Sequence, residues 1–97
     1  MKLKDLEIIY KMSERIPKNF SLKIKEKIIR NKFLIRSEIE FLQELNKISD
    51  PSTDLHEYMN REYQKSSELL FINIDELPDD VNELDADFLE GLFLITN

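Results

Sequence analysis

Apolar residues recur at helical spacing along most of the chain. Leu3, Leu6, Ile9, Tyr10 and Ile16 fall roughly one turn apart, and Pro17 closes the segment, which predicts a first helix over about 4–15. Lys18-Asn19-Phe20-Ser21 reads as a connector in which Asn19 or Ser21 can cap the next helix. From Leu22 to Ile48 there is neither Gly nor Pro, and Ile24, Ile28, Ile35, Ile39, Leu42 and Leu45 follow at spacings of 4, 7, 4, 3 and 3. That is one face of a long helix, over about 21–49. Leu34, Phe41 and Ile48 form a second stripe beside it, so the apolar sector is wide enough to touch more than one neighbour.

Ser49-Asp50-Pro51-Ser52-Thr53-Asp54 is the clearest break, and Asp54 with Glu57 has capping-box spacing. A third helix is expected over about 53–70, with Leu55, Met59, Tyr63, Ser66 and Leu70 inward. Phe71-Ile72-Asn73-Ile74 alternates and predicts a short strand over about 71–75. Pro78-Asp79-Asp80 turns the chain, and Asp85 can cap a last helix over about 85–95, where Phe88, Leu89, Leu92 and Ile95 share a face.

The fold class expected is mainly α: one domain over residues 1–97, built as an elongated antiparallel helical hairpin with a short N-terminal helix, a β-like segment and a C-terminal helix. A 27-residue helix is about 40 Å long, whereas a compact domain of this size has a radius of gyration near 13 Å. The long helix therefore makes the molecule elongated. The third helix is shorter, leaving part of the second for helix one, the C-terminal arm or another subunit.

Charge sharpens this picture. The net −6 divides unevenly: residues 1–37 hold eleven Lys or Arg against four acids, and residues 38–97 hold three against sixteen. Phe71 to Asn97 has eight acids and no basic residue. In an antiparallel hairpin the acidic arm (Asp75, Glu76, Asp79, Asp80) returns beside Lys23, Lys25, Lys27, Arg30 and Lys32. Exposed pairs contribute about 0–1 kcal/mol each, so their collective effect is to set docking direction. Lys25, Lys32 and Arg36 flank one side of the apolar stripe and Lys23, Lys27 and Arg30 the other, an arrangement suited to long side chains covering a packed interface. Lys25, Arg30, Lys32, Arg36, Asp75, Glu76, Asp79 and Asp80 are the expected electrostatic surface. Direct nucleic-acid binding by the basic run, and mimicry of nucleic acid by the acidic half, are both weighed against the plainer reading that the two halves neutralise each other.

The chemistry available is sparse. There is no Cys, which removes disulfides and thiolate catalysis. His56 is the lone histidine, too little for a metal site without convergent ligands. Asp79-Asp80 and Asp85-x-Asp87 lack the glycine-containing calcium loop, and Gly91, the single glycine, lies in an apolar stretch. Neither a nucleophile elbow nor a phosphate loop occurs. No catalytic activity, cofactor or metal is expected. The first residues carry Lys2, Lys4 and Asp5 without the apolar core of a signal peptide, and no run approaches the roughly 18 apolar residues of a membrane span. The expectation is a cytoplasmic protein without membrane contact.

Function therefore falls to surfaces. Phe88, Leu89, Leu92, Phe93, Leu94 and Ile95 crowd into eight residues, more than one helix face can hide. Ile28, Ile35, Ile39, Leu42, Phe88, Leu92 and Phe93 are the expected interface, with a homo-oligomer and a host or phage protein as partners.

The order of features is also informative: Leu3-Lys4-Asp5-Leu6, Ile16-Pro17-Lys18, Lys23, a long helix carrying Asn31 and Glu38, Glu57-Tyr58-x-x-Arg61-Glu62, Glu68-Leu69-Leu70, Ile72-x-Ile74, Leu77-Pro78 and Leu84-x-Ala86-x-x-Leu89-x-x-Leu92. This order, over nearly the whole chain, resembles a widespread group of short tailed-bacteriophage proteins. The resemblance implies a long helical hairpin with a β-like arm and final helix, and a phage or prophage accessory protein located in the host cytoplasm. It transfers no functional residue. Those proteins carry a longer, charged, Gly-containing loop between the long helices; here the loop is only Asp50 to Thr53, so nothing located in that loop carries over. The function expected is a non-enzymatic inhibitor or modulator of a host or defence protein. The alternative is a structural or assembly factor or chaperone, and behind both stands a sponge for a small anionic ligand.

Overall fold

A computed structural model describes residues 2–48 and 68–97. Three α-helices are formed among them: α1, Leu3–Ser13; α2, Leu22–Ile48; and α3, Ala86–Leu94. The protein is mainly helical, and its extents of 48 × 22 × 20 Å with a radius of gyration of 14.8 Å make it elongated, as an unbroken α2 requires. The expected helix over about 53–70 lies outside the described residues except for its end, where Leu69 and Leu70 are not helical.

Local chemistry explains the helix ends. The Lys2 N–H donates to Asp5 Oδ2 at 3.3 Å, an acid in the first turn reaching back over the start of α1. Ser21 Oγ accepts from the Ile24 N–H at 3.3 Å and opens α2. Asp85 does the same for α3, with Oδ1 accepting from the Phe88 N–H at 2.9 Å, and its other oxygen pairs with Arg15 at the end of the first helical segment.

The core gathers where α1 and α3 pack together and α1 lies on the first half of α2. Leu6, Ile9 and Met12 of α1, Ile24, Ile28, Ile35 and Leu42 of α2, and Phe88, Leu92 and Ile95 at the C-terminus belong to one buried cluster, joined by Phe20, Leu69 and Ile72. Burying each such side chain contributes about 1.5–3 kcal/mol. Phe20, in the connector, meets Phe88 edge-on with ring centroids 5.9 Å apart. Gly91 sits where α3 crosses α1: a Cβ there would lie 2.6 Å from Met12 Cβ and 2.9 Å from the Ile8 carbonyl oxygen. The close approach of these helices depends on that missing methyl.

The expected strand over 71–75 is corrected to a single parallel β-bridge, Ile72 with Thr96. The Ile72 N–H donates to the Ile95 carbonyl at 2.8 Å and the Asn97 N–H to the Ile72 carbonyl at 2.9 Å. The Ile74 N–H continues the pairing to the Asn97 carbonyl at 3.2 Å, while Asn73 Oδ1 accepts from the Asp75 N–H at 3.2 Å. This turn starts a 3₁₀ segment over Ile74–Glu76. A second 3₁₀ turn, Val81–Glu83, leads into α3.

One buried polar contact ties the arm to α2. Asn31 is fully buried; its Nδ2 donates to the Leu70 carbonyl at 2.8 Å and its Oδ1 accepts from the Leu70 N–H at 2.7 Å. The amide thus acts as one rung of a β-ladder presented from a helix.

Two outcomes test this packing. Gly91→Ala should lower the unfolding free energy by about 1–3 kcal/mol, because backbone and a side-chain contact must both yield; chemical denaturation measures it. Asn31→Ala should cost a similar 1–3 kcal/mol, roughly, by stranding the Leu70 N–H and C=O, with faster hydrogen exchange at the Leu70 and Ile72 amides.

Candidate interaction surface

α2 has two apolar faces on opposite sides. At about 100° per residue, Ile24, Ile28, Asn31, Ile35 and Leu42 point one way, and all are buried. Leu22, Ile29, Phe33, Phe41 and Ile48 point the other way, within a sector of about 120°. They are 81, 43, 61, 58 and 83 % exposed. Polar positions between them are occupied by Glu26, Arg30, Ser37, Glu40 and Glu44. Beside this outer face, Arg30, Phe33, Leu34, Glu68 and Leu70 line an open recess of about 390 Å³. Five large apolar side chains along a rod about 40 Å long form a larger feature than scattered surface leucines would.

The residues expected at the interface are therefore placed differently. Ile28, Ile35, Leu42, Phe88 and Leu92 are buried in the chain's own core and Ile39 packs against it, while Phe93 is exposed. Of the second stripe, Leu34 is only part-covered and Phe41 and Ile48 are open. The wide apolar sector is real; one side of it is buried in the core and the other is exposed.

The expected electrostatic surface divides likewise. Glu76 reaches α2, with Oε1 accepting from Lys23 Nζ at 3.1 Å and Oε2 lying 3.5 Å from Lys27 Nζ. Oε2 is closed off from solvent without a hydrogen bond, so Lys27 acts on it through charge, its ammonium donating instead to the Phe71 carbonyl at 3.2 Å. The hydrogen bond from Lys23 holds the Glu76 carboxyl below its ordinary value; partial desolvation opposes this, and the charges of Lys23 and Lys27 reinforce it.

The other named charges go elsewhere. Lys25 donates to the Lys18 carbonyl at 2.7 Å, and Lys32 lies over the Tyr10 ring at 5.8 Å. Arg30 pairs with Glu26 at 3.0 Å and Arg36 with Glu40 at 3.6 Å, each one turn away on α2. Asp75, Asp79 and Asp80 are exposed and form no ion pair among the described residues. The arm docks through one carboxylate, and the remaining acids face solvent.

Searches of protein-family models, curated proteins and solved structures returned no match for this chain. Among the described residues, no three His, Cys, Asp or Glu side chains converge as metal ligands, and no helix is long and apolar enough to cross a membrane. His56 lies outside the described residues. A cleft of about 310 Å³ between α1 and α3 is lined by Lys11, Arg15, Asp87 and Glu90 around Ile8, Met12 and Phe88. Its charges are of both signs, Lys11 of α1 and Arg15 beyond its end with Asp87 and Glu90 of α3, and Arg15 pairs with Asp85.

Sequence reasoning missed Asn31 as an anchor, although a signal was present. The spacing of 7 between Ile28 and Ile35 skips a position on the buried stripe, and that position is Asn31.

The Glu76 contact predicts a pH dependence. Its folded value is depressed, so its contribution to stability is present above the ordinary Glu value near 4.5 and disappears as pH falls through the lower folded value. Glu76→Gln should melt below the wild type at pH 7, and the gap should close progressively on acidification below about pH 4. Melting temperature against pH for both proteins measures this.

Proposed function

We propose that this chain is a non-enzymatic accessory protein that works by binding another protein, with the outer face of α2 as its contact surface. The observation supporting this is the exposure of Leu22, Ile29, Phe33, Phe41 and Ile48 along one side of an unbroken helix whose opposite side is the core. Holding that many apolar side chains in water is unfavourable by about 25 cal/mol per Å², and a rigid rod presents them already ordered, so a partner gains their burial at little conformational cost. In the setting suggested by the resemblance to tailed-phage proteins, the target is a host or defence protein, which the chain inhibits or modulates by occlusion.

The test compares wild type with a Phe33→Glu/Phe41→Glu variant as baits in bacterial and infected-cell lysates. Both sites are exposed, so stability should change by less than about 1 kcal/mol, while stoichiometric capture of a protein should be lost. A captured host enzyme would support inhibition, and captured virion components would turn the reading towards assembly. Undiminished capture by the variant would remove the outer face from the proposal.

A further inference from the structure

We draw no further inference here: the strongest candidate, the exposed apolar face of α2 formed by Leu22, Ile29, Phe33, Phe41 and Ile48, is the surface already given to protein binding, and nothing in the structure shows what covers it.

Discussion

The architecture hangs on one buried amide. Asn31 leaves no side-chain surface to water, and both of its polar atoms are satisfied by the backbone of Leu70. A buried amide without partners costs several times what its hydrogen bonds contribute net, so this contact tolerates one register of the arm on α2 and penalises the others. With Leu70 fixed, Ile72 drops into the core and offers its backbone to residues 95–97. Glu76 then arrives within reach of Lys23 and Lys27. α3, ended by that pairing, lies on α1 through Gly91.

The same constraint decides which side of α2 is left over. Because the arm and α1 gather on the Asn31 side, the Phe33 side receives no cover from the described arm beyond the edge of Leu70. A helix apolar on one side is ordinary; α2 also carries Leu22, Ile29, Phe33, Phe41 and Ile48 exposed on the side opposite the core, interleaved with Glu26, Arg30, Ser37, Glu40 and Glu44.

The long helix was legible because length, absence of Gly and Pro, and the recurring isoleucines all agree, and α3 because Asp85 stands where a cap belongs. Asn31 was harder to read, since a polar residue in a stripe gap resembles a surface position until its partner, 39 residues away, is known. Phe20 looked like connector, and its burial against Phe88 follows only from how α1 and α3 meet. The alternation at Phe71–Ile74 suggested a strand, and Ile72 and Ile74 do offer their backbone to residues 95–97, but the Asn73 side chain turns the chain at Asp75 into a 3₁₀ segment. The candidate surface was half legible: the width of the apolar sector could be read, whereas which side would be buried depended on contacts distant in sequence.

The charge asymmetry then takes a more specific meaning. A general neutralisation of basic helix by acidic arm would bring several carboxylates to α2, yet of the arm's named acids Glu76 alone arrives, and Arg30 and Arg36 are occupied by glutamates of their own helix. Intrahelical pairs of this kind contribute about 0.3–0.5 kcal/mol, so exchanging them for pairs across an interface costs little. Electrostatics on this surface can therefore steer and orient a partner without holding it, while the exposed phenylalanines supply the burial that does.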